Sequence, residues 1–257
     1  MEYLSYSKEH NICTILLQHA PANALCSPMI KELNSVFDEL ENDSEVKAIV
    51  IRGEGRFFSA GADIKEFTTV KDADGFSELG AFGQKVFDRI EQFSKPVIAA
   101  VHGAALGGGL ELAMSCHMRI VTENAKLGLP ELQLGLVPGF AGSQRLPRYV
   151  GAAKATEMLL TSEPITGTEA HRSGLANHVV SEDELLDKVY GLAGKAAAKS
   201  AVAVDFALKL VDYARKGKYE AGAEKEAEFF GRAFSSHDGQ EGIQAFIEKR
   251  KPEFKDR

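Results

Sequence analysis

The chain has 257 residues, 44% of them apolar and 26% charged, an ordinary composition for a globular protein able to bury a full core. A formal net charge of −7 gives no field that would draw a nucleic-acid backbone, and no apolar stretch approaches the roughly 20 residues of a membrane-spanning helix, so neither nucleic acid nor membrane is an expected partner. The acid-containing N-terminus fits no export or transit signal. Cys13, Cys26 and Cys116 are odd in number and form no C-x-x-C pair, as expected of buried thiols in a reducing, cytoplasmic setting.

In chain order, Val- and Ile-rich runs at 12–18, 46–53, 96–102 and 118–121 read as strands, each ended by Gly, Pro or a polar cluster. Between them, residues 28–41 carry Ile30, Leu33, Val36, Phe37 and Leu40 at helical spacing, and 82–93 form a second such stretch. Alternating strands and helices indicate an α/β core. Beyond about residue 151 helical periodicity dominates, with Val179-Val180 the one short extended piece. Segments 197–216, 220–234 and 240–249 each have an apolar face needing a partner, either the core or another subunit.

Chemistry concentrates at three places. The first is 95–114, where a strand meets small residues and then a helix beginning near Leu106. Glycines there let a ligand approach free backbone N–H groups at the positive end of a helix, which favours negative charge. Gly107, Gly108 and Gly109 could equally serve close packing of helix on sheet. Glu111, three residues past Gly108 and flanked by Leu110, Leu112, Ala113 and Met114, puts a carboxylate among apolar neighbours, which raises its pKa unless it is partnered. Second, Ala60, Gly61 and Ala62 follow another strand and could expose a second N–H, completing an oxyanion-binding pair; Asp63 reads first as a helix cap. Third, Pro130-Glu131 suits the start of a helix, and beside Glu111 it could also supply the second carboxyl of an acid–base pair.

Competing chemistries are weaker. Ser59 and Ser143 lack the first glycine of a nucleophile elbow, no His or Cys spacing matches a metal site, Tyr219 stands where a P-loop needs Ser or Thr, and the glycines at 103–109 are not spaced as a dinucleotide fingerprint. No metal or separate cofactor is expected.

Jointly, 22–25, 58–65, 96–111, 130–131 with 139–146, and 241–251 resemble the crotonase, or enoyl-CoA hydratase, family across nearly the whole chain. The resemblance implies an α/β spiral of ββα units over 1–195 and a helical C-terminal region over 196–257 that packs in a homotrimer or a dimer of trimers. It implies hydration of a 2-enoyl-CoA, CoA being part of the substrate. Its oxyanion hole falls on the N–H groups of Ala62 and Gly108, and its two acids on Glu111 and Glu131. Binding of the CoA thioester falls on Ala22, Ala24, Leu25, Ala60, Asp63, Ile64, Lys65, Gly107, Pro130 and Lys249, the two lysines near the nucleotide phosphates. His102 and Ser143 stand where Asn and Thr are frequent, away from the catalytic groups. An enoyl-CoA isomerase working mainly through Glu131, and a non-catalytic protein binding CoA thioester or RNA, are the alternatives.

Overall fold

A computed structural model describes all 257 residues. Its main sheet has six strands: β1 (Leu4–Glu9), β2 (Ile12–Leu17), β3 (Ala48–Gly53), β4 (Val97–Val101), β6 (Met118–Thr122) and β9 (His178–Val180), in that spatial order. Only β1 and β2 are antiparallel. The central strands are apolar on both faces because both are covered. On one face, Ile12, Val50, Ile98 and Ile120 pack under Leu185, Val189 and Ala193 of α7 (Leu185–Ala197). Against the other lie α1 (Ser27–Glu41), α3 (Ala73–Glu91) and α4 (Gly108–Ser115).

A second, three-stranded sheet holds β5 (Ala104–Leu106), β7 (Lys126–Gly128) and β8 (Ile165–Thr166), and the turn after β3 joins its edge through the Ser59–Ala105 bridge. The chain therefore repeats one pattern. A strand in the large sheet leads to a short extended piece in the small one and then to a helix: β3 and Ser59 before α2 (Ile64–Phe67) and α3, then β4 and β5 before α4. β6 and β7 likewise lead to a 3-10 turn at Glu131–Leu134 and α5 (Gly142–Thr161). Each junction between small sheet and helix opens on the same side of the molecule, where the candidate site forms.

The expected strands and the helix at 28–41 are present within a residue or two. Four features differ. β1 was not expected: its alternating polar residues leave only Leu4 buried, so it lacks the apolar run of the other strands. The small sheet, including β8, has strands of two or three residues, too short to show a period. Helix α3 starts at Ala73, capped by the Asp72 side chain on the Gly75 N–H, nine residues before its apolar spacing becomes visible. Helix α4 begins at Gly108 rather than near Leu106, because Ala104–Leu106 pairs as β5 and Gly107 adopts φ 49°, which a continuing helix excludes.

The C-terminal helices are α8 (Ala201–Arg215), α9 (Tyr219–Ser235) and α10 (His237–Glu248), with residue 197 belonging to α7 rather than α8. Phe206 and Phe229 stack at 4.4 Å under the Arg232 guanidinium. Their outer faces stay open: Phe230 is 79% exposed and Phe246 85%. The chain end folds back, with buried Asp238 accepting the Lys255 and Asp256 N–H groups and Asp256 pairing with Lys47. No helix is long and apolar enough to cross a membrane.

Candidate active site

One cavity of about 610 Å³ gathers all three sequence segments. Ala60, Gly61, Ala62 and Ile64 line it from the turn after β3, Gly107, Gly108 and Glu111 from the start of α4, and Pro130 and Glu131 from the 3-10 turn. Its apolar part comes from Phe67, Phe76 and Leu79 of α2 and α3, from Leu134 at the end of the 3-10 turn, and from Leu136 and Val137 of the loop before α5. Half-enclosed, with apolar walls and a few convergent polar groups, it has the character of a small-molecule site.

The turn at Ala60–Ala62 is laced to the first loop. The Ala60 N–H donates to the Ala22 carbonyl, Leu25 N–H to Gly61, and Asp63 N–H to Leu25, while the Asp63 side chain caps α2 at the Lys65 N–H. These bonds alternate around Ala62 and leave its own N–H without an acceptor in the protein. Gly108, the first residue of α4, comes too early in the helix for its N–H to find a carbonyl within it. A methyl group on Gly108 would stand 3.5 Å from the Ala62 nitrogen and 3.1 Å from the Phe140 ring. Two free N–H donors therefore face one small space at a helix N-terminus, as an oxyanion requires.

Glu111 is 1% exposed. Its Oε1 accepts two backbone N–H groups, from Phe140 at 2.8 Å and Gly142 at 2.7 Å. Burial pushes its carboxyl up to about 7, the neighbouring Glu131 carboxylate adds to the rise, and the Gly142 and Phe140 N–H groups and Arg145 oppose it. Burial also raises Glu131, whose Oε2 is shut from solvent and finds no donor in the protein. Gly107 is required where Glu131 reaches past the helix start: an added methyl would lie 2.9 Å from Glu131 Oε1. Two carboxyls thus share one apolar cavity, each with its affinity for protons raised by burial.

Ala22, Ala24, Leu25, Asp63, Lys65 and Lys249 do not line this cavity in the single chain. The first five lie on the loop and turn just described, behind or beside it. Lys249 is exposed at the C-terminal end of α10 in a left-handed conformation. Neither lysine is held in an ion pair, whereas Arg250 is tied to Glu241 and Glu248. No cluster of His, Cys, Asp and Glu is arranged to hold a metal ion. Sequence reasoning missed the Phe140 and Gly142 N–H donors, which come from a loop some 30 residues beyond Glu111 and carry no side-chain signal.

A profile of the enoyl-CoA hydratase/isomerase family matches residues 7–257. The chain belongs to that family. It is 52% identical over 256 residues to a probable enoyl-CoA hydratase of Bacillus subtilis, covering 99% of each chain. It is 43% identical over 253 residues to a short-chain-enoyl-CoA hydratase of Clostridium acetobutylicum, covering 97% of each. An enoyl-CoA hydratase structure from Geobacillus kaustophilus superposes with a TM-score of 0.95 at 32% identity, covering 99% of this chain and 97% of that one. Pseudomonas aeruginosa DspI also gives 0.95, at 34% identity and the same coverage. The expected crotonase-type α/β fold with its helical C-terminal region is therefore the one found. As an enoyl-CoA hydratase/isomerase, the chain is an enzyme acting on acyl-CoA thioesters.

Proposed function

We propose that the chain hydrates trans-2-enoyl-CoA thioesters, adding water syn across the double bond to give 3-hydroxyacyl-CoA, within fatty-acid or related acyl-CoA degradation in the cytoplasm. The observation that carries this reading is the pair of carboxyls, Glu111 and Glu131, in one cavity with the free N–H groups of Ala62 and Gly108. The names of the relatives support it, since the most similar ones reported are hydratases.

The thioester oxygen accepts from Ala62 and Gly108, which stabilise the enolate charge as the water oxygen bonds to C3. Glu111 takes the proton of the attacking water. Both its Oε1 lone pairs are engaged by backbone N–H groups, so the proton lands on Oε2. The two N–H donors serve a carboxylate, which suits the base. Glu131 Oε2 has no partner in the protein and burial favours its neutral form, which suits the acid that delivers a proton to C2. After product leaves, the pair resets by proton exchange with solvent, since one proton has moved from Glu131 to Glu111.

Residues 196–257 are assigned to packing between copies in a trimer or a dimer of trimers, supported by the open apolar faces of α9 and α10. Lys65 and Lys249 are assigned to the CoA phosphates, Lys249 reaching them within such an assembly, and the Ala22–Leu25 loop with the Ala60–Ile64 turn to the length of CoA.

Glu111→Gln and Glu131→Gln test the reading. Each should lower hydration by about 10²-fold or more while leaving thioester binding within a few-fold. Near-normal turnover in either variant would remove that residue from the mechanism. An isomerase working through Glu131 alone would keep its 3-enoyl to 2-enoyl conversion in Glu111→Gln.

A further inference from the structure

We infer that Arg145 is a positioning residue for Glu111, acting through the backbone of Phe140. The inference rests on Glu111 being the working carboxylate, and it concerns what holds that carboxylate's two donors in place.

The turn at residues 139–142 has little reason to stay where it is. Gly139 and Gly142 flank it, and Ala141 adopts a left-handed conformation (φ 68°, ψ 25°), which is strained for a residue with a Cβ. Yet this turn must aim the N–H groups of Phe140 and Gly142 at the same oxygen. What opposes relaxation is a hold on each of the two peptide groups that meet at Phe140. Its N–H is on Glu111, and its carbonyl accepts from Arg145 Nη1 at 2.7 Å. Arg145, in the first turn of α5, is 1% exposed and is itself fixed: Nε donates to buried Glu91 Oε2 at 3.1 Å and Nη2 to Asp88, both on α3. Arg148 and Arg215 also face Glu91, so three guanidiniums gather on that one buried carboxylate and Arg145 is held among them. The guanidinium's planar fork thus spans α3 and the turn, a geometry lysine's single ammonium does not reproduce.

The Phe140 ring makes the coupling wider. It lies against Gly83, where a methyl would come within 2.3 Å of it, and against Gly108 of the oxyanion hole. A shift of the Phe140 backbone therefore moves both donors to Glu111 and one wall of the thioester site. Displacements of about 1 Å in such constellations cost up to about 10²-fold in rate.

The bland alternative is that Arg145 only ties α3 to α5. A double-mutant cycle separates the two. Arg145→Lys, which keeps the charge, should lower kcat by about 10-fold or more with KM within about threefold of the parent, and in a Glu111→Gln background it should cost almost nothing further. The Arg145→Met, Glu91→Gln pair removes both fully buried charges together and carries the same cycle if the lysine variant does not fold. Unchanged kcat in a folded Arg145 variant overturns the inference, as do losses that multiply with those of Glu111→Gln. If Glu111→Gln itself turns over normally, it is the function of Glu111 that fails, and the two failures are distinct.

Discussion

Replacing Glu111 by Gln should make the protein less active and, at alkaline pH, more stable. Burial lifts the Glu111 carboxyl from 4.5 to about 7, so between those pH values the unfolded chain ionises while the folded one resists. Stability from this group is therefore undiminished below about pH 4.5, declines as pH rises, and levels off above about 7. The total corresponds to roughly 3 kcal/mol. Gln cannot ionise, yet its carbonyl oxygen can still accept from Phe140 and Gly142. The variant should then match the parent near pH 4 and exceed it by up to about 3 kcal/mol at pH 8.5. For a chain of this size that is a gain of several degrees in Tm, at roughly 2–4 °C per kcal/mol. Thermal and urea melts at the two pH values, with hydration measured alongside, give the answer. A variant destabilised equally at both would mean that Glu111 carries no ionisation penalty, and the argument for a proton-binding carboxyl in the cavity would fail.

Gly108→Ala places a methyl 3.5 Å from the Ala62 nitrogen and tight against Phe140, so turnover should fall by about 10²- to 10³-fold. The usual helical gain of about 1 kcal/mol from Gly to Ala should be offset by that crowding, leaving Tm nearly unchanged; full activity would move the oxyanion site elsewhere. Gly107→Ala meets both a positive φ and Glu131 Oε1 at 2.9 Å, so it should lose stability by about 1 kcal/mol or more as well as activity, read by melting and by rate. Lys65→Ala should weaken CoA binding by up to about fivefold at low salt and less at high salt; identical affinities at all salt concentrations would take Lys65 off the phosphates.

How much could be read in advance follows from how local each signal is. The strands at 12–18, 46–53 and 96–102 carry their own apolar runs, and Glu111 announces itself by its neighbours in sequence. β1 does not, because five of its six residues are at least partly exposed at the sheet edge. The glycines at 107–109 were ambiguous as a string and separate in the structure. Gly107 makes room for Glu131, Gly108 opens the site, and Gly109 lets α4 approach Ser59, whose carbonyl would be 2.4 Å from an added methyl. The Phe140–Arg145 support was illegible because it joins the Arg145 side chain to carboxylates more than 50 residues away, to backbone groups and to a left-handed alanine that no composition rule marks.

The most direct measurement is the rate at which the intact protein removes the ultraviolet absorbance of a conjugated 2-enoyl-CoA, across short and long acyl chains, beside its rate on the matching 3-enoyl-CoA. Hydration should be much the faster reaction and should collapse in both Glu111→Gln and Glu131→Gln. Isomerisation outrunning hydration, or hydration surviving in either variant, would contradict the two-carboxyl mechanism.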